Sequence, residues 1–181
     1  MRYCCGGTMS APLHWSYRTT EIPEPGFRER RTATSAERAT VAAALEVVSC
    51  EALMADFTIR ATGQGCYRLA GKLEAQLTQS CVVTLDPVAQ HVEATFDVEF
   101  WPPMSMPRPG EEEVEALSAA EIEPIEHGMI DAGRIVFETL SASVDPYPRK
   151  PGAEFQSDAI EDSSAPATGP FAALKKLKDH G

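Results

Sequence analysis

Leu53-Met54-Ala55-Asp56-Phe57-Thr58-Ile59-Arg60-Ala61 is the stretch that decides the fold. Leu53, Ala55, Phe57, Ile59 and Ala61 alternate with Ala52, Met54, Asp56, Thr58 and Arg60. A period of two is that of a strand with one face buried and the other in water. Thr62-Gly63-Gln64-Gly65 then supplies residues that tolerate a reversing turn. The alternation resumes with Tyr67, Leu69, Gly71, Leu73, Ala75 and Leu77 set against Arg68, Lys72, Glu74, Gln76 and Thr78. After the short apolar piece Cys81–Leu85 and the turn-like Asp86-Pro87, it returns as Val92, Ala94, Phe96, Val98 and Phe100 against His91, Glu93, Thr95, Asp97 and Glu99. Pro102 and Pro103 close it, because proline has no amide to give to a ladder. Three such strands with short links predict an antiparallel meander, apolar on one side.

That apolar side needs a cover. Thr34, with Glu37 three residues on, forms a capping box ahead of Ala36–Val47, where Val41, Leu45 and Val48 fall on one side of a helix. Asp131 reads as the N-cap of a second helix, with Val136, Leu140 and Val144 in a stripe. This helix ends at Asp145-Pro146, since the residue before proline is biased away from helix. The fold class expected is therefore α+β: an antiparallel β-meander sheet covered on one face by two helices. Leu13, Trp15 and Tyr17 alternate as an early strand would. One domain is expected over residues 11–150, with a flexible acidic loop at 104–128. Residues 1–10 read as a disordered extension. Residues 151–181 read as a flexible tail with a short terminal helix, where Phe171, Leu174 and Leu177 recur at three-residue spacing. Such a piece can dock on its own body or on a partner.

Composition narrows the function. Acidic residues outnumber basic ones, 27 to 16, for a formal charge of −11. A uniformly acidic body repels phosphate and suits a basic protein partner. Glu111, Glu112, Glu113, Glu115, Glu121, Glu123 and Glu126 form a run without a basic residue among them, whereas Arg28, Arg30 and Arg31, and later Lys175, Lys176 and Lys178, form small basic clusters. No stretch approaches the roughly 20 apolar residues that span a bilayer, and Met1–Ser10 lacks the apolar core of a signal peptide. A cytoplasmic protein with no membrane partner is expected. Five cysteines, at 4, 5, 50, 66 and 81, show no C-x-x-C spacing. Cys50, Cys66 and Cys81 read as reduced thiols lining strands, where cysteine behaves as a small apolar residue.

The chain carries no G-x-S-x-G, phosphate-binding glycine loop or H-E-x-x-H. His14, His91, His127 and His180 lie far apart. Asp56, Asp97 and Glu99 share the wet face of the sheet, where solvated carboxylates are the ordinary expectation. Cys50, Cys66 and Cys81 lie on successive strand regions and could converge with His91, but their long, irregular separation is a weak signal for structural zinc. No catalytic residue, metal, cofactor or small-molecule substrate is expected, and the reading is that of a protein that is not an enzyme.

Cys81-Val82-Val83-Thr84-Leu85-Asp86-Pro87 resembles the C-x-x-C-L-x-P signature of the YceD family. The strands on either side stand in that family's order, Leu69–Leu77 and Val88–Phe100. Ile130-Asp131-Ala132-Gly133 and the helix after it, followed by DPYPRKPGAEF, resemble its I-D-L block and proline-containing stretch. Pro170–Leu177 is similar to its closing P-F-x-x-L-x-x-L. Many relatives carry a second cysteine where Thr84 stands and another after the proline stretch, where Pro151–Glu154 has none. Zinc binding of that kind is therefore not implied here, and packing around Val83, Leu85 and Pro87 is expected to stabilise the turn instead. The resemblance implies a bacterial cytoplasmic factor for the synthesis, processing or stability of 23S ribosomal RNA, with large-subunit components as partners. The first reading is a non-enzymatic factor that binds a basic ribosomal protein, using Pro146, Pro148, Arg149 and Lys150 or the terminal Phe171, Leu174 and Leu177 for specificity. Direct binding of ribosomal RNA through a patch of Arg28, Arg30, Arg31, Arg149 and Lys150 is the alternative. A metal-dependent RNA-processing enzyme using Asp56 and Asp97 is a third reading.

Overall fold

The three alternating stretches are the three central strands of the protein in a computed structural model that describes residues 12–105 and 121–154. They are β3 (Ser49–Gly63), β4 (Cys66–Ser80) and β5 (Pro87–Trp101), preceded by β1 (Ser16–Arg18), β2 (Phe27–Thr32) and α1 (Ser35–Ala44). β6 (Glu121–Pro124), β7 (Met129–Asp131) and α2 (Ala132–Ser143) follow. The five-stranded sheet runs β2-β3-β4-β5-β6, and β1 pairs with β7 in a small second sheet.

Register carries the apolar positions into rows. Ile59, Leu69 and Val98 lie opposite one another, as do Leu53, Ala75 and Val92, and all six are buried. Phe57 faces Gly71, and a Cβ on Gly71 would stand 2.5 Å from the Asp56 carbonyl oxygen and 2.6 Å from the Phe57 Cβ. Hydrogen here lets two long strands close around a buried phenyl ring.

Both helices lie in one core with this face: Val41 and Ala42 from α1, and Ile135, Val136 and Leu140 from α2, are buried with it. The capping box forms as its spacing predicts, with Thr34 Oγ1 accepting from the Glu37 amide. Asp131 caps α2 by accepting from the Arg134 amide at 3.0 Å. α1 is shorter than expected. It stops at Ala44 because Glu46 turns to φ 55°, and Val48, expected on the helical stripe, instead donates its amide to Thr78 and is 60% exposed.

Three strands were hidden by their composition. β2 reads FRERRT, so its period of two is masked by charge. β6 falls inside the interval expected to be an acidic loop and pairs parallel to β5, making the sheet mixed at that edge. β7, only three residues long, pairs Ile130 with Tyr17. The early strand sits slightly later than expected, and Leu13 and Trp15, ahead of it, are buried, with Leu13 beside the first turn of α2. The Gly133 amide donates to the Trp15 carbonyl, and a Cβ on Gly133 would lie 2.6 Å from the Leu13 carbonyl oxygen. The N-terminal extension, most of the acidic run and the terminal Phe171–Lys178 piece lie outside the described residues.

Candidate functional site

The wet face of the sheet is a lattice of ion pairs. Arg28 grips Asp56 with two parallel bonds of 2.7 and 2.8 Å, Arg68 grips Asp97 in the same way, and Lys72 reaches Glu74 at 3.0 Å. The Arg28 and Arg68 guanidiniums hold the Asp56 and Asp97 carboxyls below the usual carboxylate range. A general acid needs the opposite shift. Among the described residues no group of three or more His, Cys, Asp or Glu is placed to hold a metal ion.

The arginines of β2 do not share a face. Arg28 and Arg30 project to the wet side, where Arg30 Nε lies 2.9 Å from the Met54 sulfur. Arg31 turns to the other side and stacks 5.8 Å over the Trp15 ring, the position from which a guanidinium gains from the ring quadrupole. Register aligns Arg31 with Leu73 and Arg28 with Ala70 across β3. They therefore lie eight to eleven residues along β4 from Cys81, on the order of 25–35 Å of strand.

The far end of β4 is where distant sequence meets. Cys81 is fully buried at the turn into β5. Its amide donates to the Asp86 carbonyl at 2.8 Å, and its carbonyl accepts from Leu85 at 2.9 Å. Leu85 takes φ 61°, a left-handed conformation that costs a non-glycine residue roughly 1–2 kcal/mol. The segment after α2 lies across this turn. Val82 donates to the Pro148 carbonyl at 2.9 Å, Gln79 Nε2 donates to the Asp145 carbonyl at 3.0 Å, and Lys150 Nζ pairs with Asp86 at 3.0 Å. Three backbone amides converge on the Cys81 sulfur: Lys150 at 3.4 Å, Val83 at 3.4 Å and Thr84 at 3.5 Å. Led by the Lys150 amide and joined by the Thr84 side chain, these donors outweigh burial and bring the thiol down to about 6, against an ordinary value of 9.0.

Cys81 is thus no apolar strand thiol but an acceptor at the centre of a backbone cage. Cys50 and Cys66 do lie in strands, and burial pushes the Cys50 thiol up. The turn is not stabilised by packing of Val83, Leu85 and Pro87 as expected, since Leu85 is 77% exposed and Pro87 lies open to solvent. Hydrogen bonds to the sulfur and to the 145–150 segment hold it.

Of the residues expected to bind a partner, Pro146, Pro148, Arg149 and Lys150 are gathered at this turn, with Pro148 buried and the other three exposed. Arg28, Arg30 and Arg31 are not brought to it. Phe171, Leu174 and Leu177 lie outside the described residues. Gln79, Val82 and Tyr147 were missed. Gln79 had a signal: it continues the inward series that ends at Leu77, a polar residue at an apolar position.

These observations define the class: an α+β protein with a neutralised open face and a structured turn against which a proline-rich segment is clamped. The chain belongs to the YceD family, described as the large ribosomal RNA subunit accumulation protein YceD, whose profile matches residues 69–178, more than half of the chain. The match begins inside β4 and takes in the Cys81 turn, α2 and the segment clamped across the turn. No curated protein and no solved structure matches the chain. No helix among the described residues is long and apolar enough to cross a membrane.

Proposed function

We propose that this protein is a non-catalytic cytoplasmic factor in the accumulation of large-subunit ribosomal RNA, acting by binding a basic ribosomal protein. The observation that carries this reading is the chain's charge of −11, with most of the described cations engaged by its own carboxylates. Arg28, Arg68, Lys72 and Arg134 each pair with an acidic side chain. What acts at a distance is the surplus of carboxylates, which steers a cationic partner and loses strength with salt. Family membership supplies the process, and the charge supplies the kind of partner. The turn at Cys81 offers a rigid, partly apolar surface for specificity, with Tyr147 72% exposed beside Arg149.

The test is a low-salt pull-down of the tagged protein with both protein and RNA in the eluate identified. A basic ribosomal protein that survives RNase and is released by salt is the expected result. Enrichment of 23S precursor RNA that persists after protease treatment of the other components would overturn the reading in favour of direct RNA binding.

A further inference from the structure

Exposed large apolar side chains are concentrated at one end of the molecule. Five such residues stand out among those described, and Val48, Val82, Leu85 and Tyr147 surround the Cys81 turn and the strand ends beside it. Between the C-terminal ends of α1 and α2 this region folds into a groove of about 450 Å³ whose apolar walls are Leu45, Val82, Val144, Pro146 and Pro148. Clustering of this kind marks a surface that something covers. The groove also has an unmet polar demand. Gln79 lines it and is more than nine-tenths buried, and its Nε2 is satisfied by Asp145, yet its Oε1 is buried with no partner. A buried carbonyl oxygen without a donor is uncommon and calls for one. Glu46 and Asp145 place negative charge on the groove's rim.

We infer that the groove is the docking site of this chain's own C-terminal segment, Phe171–Lys178. The chemistry of that segment is the complement of the groove. Phe171, Leu174 and Leu177 recur at the spacing that, in a helical conformation, places them on one side, and Lys175, Lys176 and Lys178 supply the positive charge. The chain is also in the right place. Its last described residues, Lys150–Glu154, are anchored to the turn that forms one wall of the groove, with the Lys150 amide on the Cys81 sulfur and the Ala153 amide on the Lys150 carbonyl. The intervening residues 155–170 span up to roughly 50 Å when extended, ample for a site that begins beside Lys150. Tethering at that length gives an effective concentration in the range of mM, so a contact too weak to hold a free peptide still holds this one. The family match, which runs past the described chain to residue 178, includes the docking segment together with the walls formed by Val82, Val144 and Pro148. A ligand from a separate protein would need a comparable basic amphipathic segment and would have to compete with one already attached.

The measurement is hydrogen–deuterium exchange on the isolated full-length protein and on full-length Leu174→Asp/Leu177→Asp, which changes none of the described residues. In the wild type, amides of 171–178 should exchange more slowly than those of 155–165. In the double variant that difference should vanish, and the peptides covering 79–86 and 144–148 should exchange at least several-fold faster. A groove variant, Val82→Asp, should free the terminal segment in the same way. Equal exchange across 155–178 in the wild type would overturn the inference. So would protection of the tail that depends on protein concentration and accompanies a dimer, which would mean that a second copy supplies the segment. No ribosomal component is present in the experiment, so its outcome is independent of the partner proposed above.

Discussion

Glu37 is the residue whose removal tests the packing of the N-terminal third most directly. Its Oε2 accepts from the Thr34 amide at 2.8 Å and the Thr34 hydroxyl at 2.9 Å, completing the capping box. Its Oε1 accepts from the Trp15 indole at 3.0 Å and the His14 amide at 3.4 Å. One carboxylate thus ties α1 to the segment buried under α2. Glu37→Ala removes the reciprocal half of the cap, worth about 1 kcal/mol. It also leaves the indole N–H of a Trp15 that is 1% exposed without its acceptor, at about 1–3 kcal/mol. The expected loss is about 2–4 kcal/mol, with a fall in Tm of roughly 2–4 °C for each kcal/mol at this chain length. Glu37→Gln keeps an acceptor for one set of donors but turns an amide NH₂ toward the other, and should cost about half as much. Urea unfolding followed by circular dichroism and tryptophan fluorescence reads both variants. The pH dependence gives an independent sign. Partial burial raises the Glu37 carboxyl, but the bonds from Thr34, His14 and Trp15 outweigh it, so the net position is below the ordinary glutamate value. A group lowered on folding contributes fully above its unfolded value and loses that contribution as pH falls through the folded one. The gap between wild type and Glu37→Ala should therefore narrow in acid. A Glu37→Ala midpoint within about 0.5 kcal/mol of wild type at neutral pH would refute this account, since surface substitutions lie in that range.

Cys81 gives the opposite end of the pH scale. Its folded value near 6 lies below the ordinary 9.0, so stability should rise with pH between those limits as the folded thiol ionises first. Cys81→Ser should flatten that rise and remove a thiolate ultraviolet band titrating near 6, and parallel curves for the two proteins would contradict the cage. Gly71→Ala places a methyl group against Asp56 and Phe57 and should cost at least about 1–3 kcal/mol by overpacking, read as a fall in urea midpoint. Asp131→Ala should cost about 1 kcal/mol through loss of the α2 cap, with Asp131→Asn recovering most of it, by the same measurement.

The central meander was legible because Leu53–Ile59, Tyr67–Leu77 and Val92–Phe100 alternate without interruption, and the two helix starts because Thr34, Glu37 and Asp131 are strong local signals. β2 was not legible. Its inward position is taken by Arg31, which packs its guanidinium on Trp15, so a buried-side residue wears the symbol of a surface one. β6 was hidden for a related reason: Glu123 spends its charge on Arg134 at 2.9 Å, a pairing set by tertiary contact and invisible in the local pattern. At the candidate site, the sequence marked both Cys81–Pro87 and Asp145–Lys150 but not their meeting. That contact is between backbone atoms, amide to carbonyl and amide to sulfur, and backbone groups are the same in every sequence.

The clamp across the Cys81 turn has a bearing on the order of events as the protein is made. Lys150 and Cys81 are 69 positions apart, so the turn emerges and pairs β4 with β5 long before its clamp has been synthesised. Neighbouring hairpins close early and inexpensively, whereas a contact spanning that much chain waits on loop closure. The surface at Tyr147 and Arg149 accordingly takes shape late. Damage to the clamp should hasten unfolding while leaving the folding rate nearly untouched. On the function proposed above, the partner would find no binding face on the nascent chain, and one only when the rest of the fold is complete.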